Sequence, residues 1–459
     1  MTTAESPPRV HSWSSYYTFL AASIGTAIGI ANIWKFTYVA GANGGGMFVL
    51  IYILAMAFVA IPALLAEMMI GQRGGRSVVG TMRVLGQRDG ISRHWELYGV
   101  LALLGVFIVL SFYAVIAGWT IDYFVLGLRG AFANIDAAGT VSLFDRLQAD
   151  PLRMIISQSV FLLLTAGTVA IGLHKGVERI VGTLTPTLFV IILVLLVYAI
   201  LYADFAKGVQ FLLLPDFGAF NGTVLLMAMG QAFFSLGVGL GVMMTIGAYT
   251  NTSFSIAKAA VIIGAADCIV AILAGLAIFP IVFAYGLTPG EGPALIFLTL
   301  PVAFGQMPGG QVLGPLFFIL MALAALTSSI VIFEAIVVWL EEYSDWSRRR
   351  LAALAGLAIW FAGLATVFSF NIWADIRPLG VFSAFADKTI FDLLDYLVSN
   401  LLMPLGGIVV CILAAWVLPA AATRAGAGIA SERTYQFWLK LVRYFAPLVI
   451  ALVFLVNLV

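Results

Sequence analysis

The sequence predicts an all-α polytopic membrane protein with eleven transmembrane helices. Three observations carry that expectation. Hydrophobic residues make up 62% of the 459-residue chain and charged residues only 10%, against roughly 25% charge in a soluble domain. Mean hydropathy is +1.08. The apolar residues gather into long runs bounded by Gly, Pro or charge clusters, each of a length to supply the about 20 residues a helix needs to cross a bilayer. A formal net charge of +1 argues against nucleic acid as a partner, since that needs a concentrated basic face.

The runs place helices at about 13–39, 42–71, 96–128, 154–172, 179–204, 223–250, 256–286, 311–342, 349–370, 390–419 and 436–458. Residues 1–9 are polar and proline-bearing, and the apolar stretch behind them is too long for a signal-peptide core, so no cleavable signal is expected. An odd number of spans puts the termini on opposite sides. With the N-terminus in the cytoplasm, the inside segments hold Arg9, Arg73, Arg76, Arg83, Arg88, Arg93, Lys175, Arg179, Lys258, Arg348, Arg349, Arg350, Arg424, Arg433, Lys440 and Arg443, 16 of the 23 basic residues. The positive-inside rule therefore gives an N-in, C-out chain in the inner (plasma) membrane, with 128–153 and 371–390 as outside loops. No composition shift divides the chain, which reads as one transmembrane domain over 1–459. Cys268 and Cys411 lie inside apolar runs and are expected as small buried residues, not a disulfide. His11, His94 and His174 are scattered through polar connections and build no metal centre.

Two runs are interrupted. The first contains GTAIGIANIWKF at 25–36, and the sixth contains SLGVGLG at 235–241. A glycine inside a helix costs roughly 0.5–1 kcal/mol against alanine, and a cluster of them beside polar residues invites unwinding. Unwound backbone at membrane depth survives only where it is buried in protein or lines a cavity. Its two half-helix ends present N–H groups suited to an anion and carbonyls suited to a cation. The two interruptions stand five spans apart, which puts two five-span halves in opposite orientations. The expectation is a 5+5 inverted repeat (about 13–204 and 223–419, with an extra span at 436–458), spans 1 and 6 unwound at their middle and a central site between them.

Other polar residues converge there. Asn32 and Ser235 flank the interruptions. Thr327 and Ser328 in AALTSSI (324–330) have the alternative of bonding back to their own helix. Asp267 lies mid-span, where a carboxylate costs about 2.5–3.5 kcal/mol on insertion scales and is functional by default. Glu67 and Glu334 are expected to bind unwound backbone.

Taken together, GTAIGIANIWKF, NGGGMF, IPALLAEMMIG, SFYAVIAGW, GQAFFSLGVGLG and LTSSI resemble the neurotransmitter:sodium symporters, in order along nearly the whole chain. The bacterial members are mostly amino-acid transporters, such as those for leucine, tryptophan and tyrosine. The resemblance implies one sodium ion held by Ala27, Asn32, Ser235, Asp267 and the substrate carboxylate. It implies a second held by backbone oxygens of Gly25, Ile28 and Ala324 and the hydroxyls of Thr327 and Ser328. Oxygen ligands suit such a hard cation. The substrate is implied to lie against Thr26, Ala27, Ala31, Val109, Tyr113, Phe234, Ser235, Gly237, Leu240, Ser328 and Ile332. Tyr113 and Phe234 then form a lid, Lys35 and Asp395 an outer gate, and Trp13, Tyr249 and Glu342 an inner gate, with Arg9 one residue off the spacing of the family's gate arginine. Departures from the family pattern are Ala31 for glycine, Lys35 for arginine, Thr37 for proline and Ala42 for an acidic residue.

The function expected is sodium-coupled import of a neutral, hydrophobic amino acid by alternating access. Gly29 stands where amine carriers place an aspartate, so the substrate must bring its own carboxylate. Ala271 stands where chloride-dependent relatives place a serine, and Asp267 supplies a fixed negative charge, so no chloride is expected. Gly176 and Pro186 are expected to let the start of segment 5 unwind. A carrier of another carboxylate-bearing zwitterion or osmolyte is the alternative. A channel would need repeated charged or carbonyl-rich loops, and an enzyme a His/Ser/Asp or metal constellation; neither pattern is present in the sequence.

Overall fold

In hydrocarbon every backbone N–H and C=O needs a partner inside the protein, and the described residues meet that demand with helices and turns alone. The structure is a computed structural model that describes residues 12–251, 253–287 and 295–458. Arg9 and His11 lie outside the described residues. The first nine helices are α1 (Tyr16–Ala27), α2 (Ala31–Ala42), α3 (Gly46–Gly74), α4 (Val78–Asp89), α5 (Arg93–Leu128), α6 (Ala137–Ala149), α7 (Pro151–Ile171), α8 (Leu173–Tyr202) and α9 (Phe205–Leu213). They are followed by α10 (Gly222–Ser235), α11 (Val242–Ala248), α12 (Ile256–Ala284), α13 (Leu295–Gln306), α14 (Gly310–Tyr343), α15 (Arg348–Ser369), α16 (Ile390–Val417), α17 (Ala420–Ala427) and α18 (Glu432–Val456).

Among the described residues nine helices are long and apolar enough to cross a membrane, namely α3, α5, α7, α8, α12, α14, α15, α16 and α18. α1 and α2 meet at 49° and make one further span if taken together. The sixth expected segment is two short helices, α10 and α11, with 236–241 non-helical between them. The 128–153 connection, expected as a loop, carries α6, whose start is capped by Asp136 accepting the Gly139 N–H at 2.7 Å. α8 begins at Leu173, earlier than the expected 179, because Gly172 ends α7 at φ 110° and a π turn (Leu173–Glu178) opens the next helix. Pro186 lies inside α8. Cys411 is buried as expected, whereas Cys268 is only half-buried.

α5 and α14 pack along much of their length and form the centre, with α7 and α15 outside them. α3 supports both parts of the sixth segment, touching α10 and α11. Close approach needs small residues, as is usual where lipid gives no hydrophobic drive to helix pairing. A Cβ at Gly71 would collide with the Met244 carbonyl, and one at Gly247 with the Met68 carbonyl, so α3 and α11 meet backbone to backbone.

Gly71→Ala should therefore lower thermal stability in detergent, since overpacking costs about 1–3 kcal/mol. Gly167→Ala, in α7 with nothing within 4 Å of the added carbon, should leave it unchanged or raise it. Melting curves of both variants followed by near-ultraviolet dichroism check the contrast; equal melting points would refute the packing argument.

Candidate functional site

The two interruptions lie side by side at the centre, and each is built by its local sequence. α1 stops at Ala27. Ile28 leaves helical space at φ −79°, ψ 82°, and the Gly29 N–H turns back to the Ala27 carbonyl at 3.0 Å. In the second break Gly237, Gly239 and Gly241 all take positive φ, at 62°, 104° and 75°. Side chains on L-residues rarely adopt that conformation, which explains the alternation of glycine in SLGVGLG.

The freed backbone of the second break is held from outside it. Glu67 of α3 is fully buried; its Oε2 accepts the Gly239 N–H at 2.7 Å and its Oε1 the Met244 N–H at 3.3 Å. The Tyr98 hydroxyl donates to the Gly239 carbonyl at 3.2 Å. Glu67 thus binds unwound backbone as expected. Among the described residues Glu334 accepts from the Tyr249 hydroxyl at 2.9 Å and forms an ion pair with Arg348.

Asp267, on α12, joins the two breaks. Asn32 Nδ2 donates to its Oδ1 at 2.7 Å and to Ser235 Oγ at 3.1 Å, while Asn32 Oδ1 accepts the Gly29 N–H at 3.2 Å. Ser235 Oγ lies 2.9 and 2.8 Å from the two carboxylate oxygens, and Tyr52 donates to Oδ2 at 2.7 Å. Asp267, Asn32 and Tyr52 are fully buried. All the donors are neutral, and among the described residues no Lys, Arg or His forms a salt bridge with this carboxylate. Tyr52 is a partner that the sequence reading missed.

On the α14 side, Ser328 Oγ donates towards the Gly25 carbonyl at 3.3 Å and the Thr26 carbonyl at 3.0 Å, and Thr327 Oγ1 bonds to the Ala324 carbonyl at 3.0 Å. The oxygens of Gly25, Ala324, Thr327 and Ser328 are thereby gathered where α1 ends. Ile28 sits at the break itself.

One cavity of about 120 Å³ is lined by Thr26, Ala27, Ala31, Val109, Tyr113, Phe234, Ser235, Gly237, Leu240, Ser328 and Ile332, all the residues expected there. It is also lined by Val398, Ser399 and Met403 of α16, which sequence reading missed. A Cβ at Gly29 would stand 3.0 Å from Ser328 Oγ and 3.4 Å from the Tyr113 hydroxyl. Among the described residues the buried Tyr113 hydroxyl finds no hydrogen-bond partner.

The gate residues are distributed differently from the simple pairing expected. Lys35 and Asp395 line one neighbouring cavity, but Lys35 Nζ stands 3.6 Å from the Phe234 ring centroid and Asp395 accepts from Ser399 at 2.8 Å. Among the described residues no salt bridge joins Lys35 to Asp395. At the other end Trp13 donates its N–H to the Tyr249 carbonyl at 2.9 Å and its indole to the Ile246 carbonyl at 3.0 Å. Ser14 donates to Glu178 through its N–H and hydroxyl at 2.7 and 2.6 Å. Glu342 is apart from that cluster: it accepts the N–H of Ser77 at 2.7 Å, the residue that caps α4 by accepting the Gly80 N–H at 3.1 Å. The carboxylate that reaches Tyr249 is Glu334, one that a sequence offset alone does not single out.

Comparison with known proteins gives this arrangement its context. The family model described as the sodium:neurotransmitter symporter family matches residues 10–137 and 150–459. An uncharacterized sodium-dependent transporter of Bacillus subtilis is 36% identical over 447 residues, covering 96% of both chains. Another from Haemophilus influenzae is 31% identical over 453 residues, covering 97% of this chain and 98% of the other. The crystal structure of MhsT in complex with L-phenylalanine superposes with a TM-score of 0.87 at 34% identity, covering 97% of this chain and 99% of that one. With the two broken helices meeting at a buried carboxylate, and matches that run through nearly its whole length, this multi-pass membrane protein belongs to the sodium:neurotransmitter symporter family.

Proposed function

We propose that the protein imports neutral, largely apolar amino acids together with sodium, without chloride, by alternating access. The observation that carries the reading is Asp267, a fully buried carboxylate whose partners Asn32, Ser235 and Tyr52 are all neutral. An ionised carboxylate at membrane depth needs a cation, and sodium supplies it. One ion is held by Ala27, Asn32, Ser235 and Asp267, with the substrate carboxylate beside it. The second is held by backbone oxygens of Gly25, Ile28 and Ala324 and the hydroxyls of Thr327 and Ser328. Nine long helices, the bent α1–α2 pair and the broken α10–α11 segment then count as eleven spans of a single domain, N-in and C-out in the plasma membrane, with the two breaks as corresponding points of a 5+5 inverted repeat.

The cavity wall supports the substrate class. Val109, Leu240, Ile332, Phe234 and Gly237 bring no charge, and burying an unpaired side-chain charge against them would be expensive. The buried Tyr113 hydroxyl, which lines the cavity and finds no partner among the described residues, supports a role as donor to the substrate carboxylate. Gly29 has no room for an aspartate without displacing Ser328, so an amine lacking its own carboxylate finds no anion there. Tyr113 and Phe234 close the outer side with Lys35 and Asp395; Trp13 and Tyr249, with Glu334 in place of Glu342, belong to the inner side. The L-phenylalanine in complex with MhsT belongs to the same class of substrate.

Saturable, sodium-dependent uptake into proteoliposomes, measured with a panel of amino acids, tests the reading. Asp267→Asn should reduce uptake more than about tenfold, because losing one partner of a buried charge pair costs about 3–5 kcal/mol. Retention of wild-type sodium affinity in that variant would contradict the assignment.

Chloride gives an independent check. Ala271, one turn after Asp267 and fully buried, offers no hydroxyl to an anion. Uptake should be unchanged when gluconate replaces chloride at constant sodium; a collapse would remove chloride independence. Tyrosine should compete for uptake where tyramine does not, and equal competition by both would remove the role of the substrate carboxylate.

A further inference from the structure

α16 is not a uniform α-helix. Between Ile390–Tyr396 and Met403–Ile412 its backbone widens into a π turn, Leu397–Leu402. The turn is closed by the Met403 N–H donating to the Val398 carbonyl. Its cause is local: Pro404 has no N–H to return to the Asn400 carbonyl, the partner an α-helix would assign it. Such a bulge shifts the face that follows.

The shift has a consequence for the cavity. In an α-helix, residues five apart point about 140° away from one another. The five-residue hydrogen bond instead stacks Val398 and Met403, and both line the central cavity together with Ser399. The Ser399 hydroxyl donates to Asp395 Oδ1 at 2.8 Å, an acceptor-only group when ionised. Its single proton is thus committed, and only its lone pairs remain for a further partner. Space exists for a ring: the cavity of about 120 Å³ is of the order of the roughly 150 Å³ void that accepts benzene in another protein. Nothing stands within 4 Å of where a Cβ on Gly237 would be.

We propose that Val398, Ser399 and Met403 form the subsite for the far end of the substrate side chain, where Ser399 accepts a hydrogen bond from a donor carried on an aromatic ring, an indole N–H or a phenol O–H. This rests on the reading of the chain as an amino-acid transporter. A site with a buried acceptor discriminates against an analogue that lacks the donor, so tryptophan and tyrosine are separated from phenylalanine by this one hydroxyl.

The test is sodium-dependent competition binding to the purified full-length protein with valine, leucine, phenylalanine, tyrosine and tryptophan. Ser399→Ala should weaken tryptophan and tyrosine about fivefold and leave phenylalanine and leucine within about twofold, the size of one neutral hydrogen bond; Ser399→Thr should restore the two. Val398→Phe should exclude tryptophan by more than about tenfold while valine stays within about twofold, the scale of a buried steric clash. Equal losses for phenylalanine and tryptophan in Ser399→Ala, no loss for either, or a Val398→Phe variant that treats valine and tryptophan alike would overturn the subsite. So would a wild-type protein that binds valine and leucine but none of the aromatic amino acids. Failure of the wild type to bind any of the five would instead overturn the amino-acid reading itself.

Discussion

A helix interrupted at membrane depth frees backbone N–H and C=O groups that lipid cannot satisfy, and the centre of this protein is organised around finding partners for them. The second break gives Gly239 and Met244 to Glu67 and the Gly239 carbonyl to Tyr98. The first break gives the Gly29 N–H to Asn32 and shares the Gly25 and Thr26 carbonyls with Ser328. The polar residues of α3, α5 and α14 therefore sit where they do because the glycines of two other helices require it. A cavity opens there for the same reason: residues released from helical packing leave space that their neighbours line.

The two buried carboxylates show how differently one residue type is used. Glu67 receives backbone N–H groups, which are rigid and always present, so it acts as a fixed part of the fold. Asp267 receives side-chain donors from three different helices, α2, α3 and α10. Any cation that joins it therefore couples those helices to α12. Because Asn32 bonds both Asp267 and Ser235, a change at either break is felt at the carboxylate through a single side chain.

Composition and the lengths of the apolar runs are enough to expect an all-helical membrane chain, and the glycine clusters at 25–29 and 237–241 are enough to locate both breaks. The cavity residues from α1, α5, α10, the second break and α14 are legible through the motifs that flank the breaks. What is not legible follows from geometry that sequence patterns do not encode. Val398 and Met403 lie on different faces of a regular helix, and the π turn before Pro404 brings them together; Ser399 and Met403, four apart, share a face in either case. Tyr52 is one tyrosine in an apolar run, and its link to Asp267 exists only in three dimensions. Glu342 reads as the inner carboxylate, but Ser77 draws it to the cap of α4 and leaves Tyr249 to Glu334. α6 is hidden because it is short and only moderately apolar, so a loop and a helix read alike there.

Short half-helices also set how the molecule can move. α1 has 12 residues and α11 has 7, lengths at which an isolated helix is marginal. Each depends on contacts with its surroundings, and the two depend on each other: Trp13 bonds the carbonyls of both Ile246 and Tyr249. Ser14 adds a third tie, to Glu178 in the π turn that opens α8. Swinging α1 away from the bundle must therefore break the bonds to α11 and either break those to Glu178 or carry the start of α8 along. The second course is the easier one structurally, since that start is already a π turn behind Gly172, with Pro186 further along the same helix. The break that ends α1 and the start of α8 are in this way linked through two adjacent residues, Trp13 and Ser14, that touch neither the cavity nor Asp267.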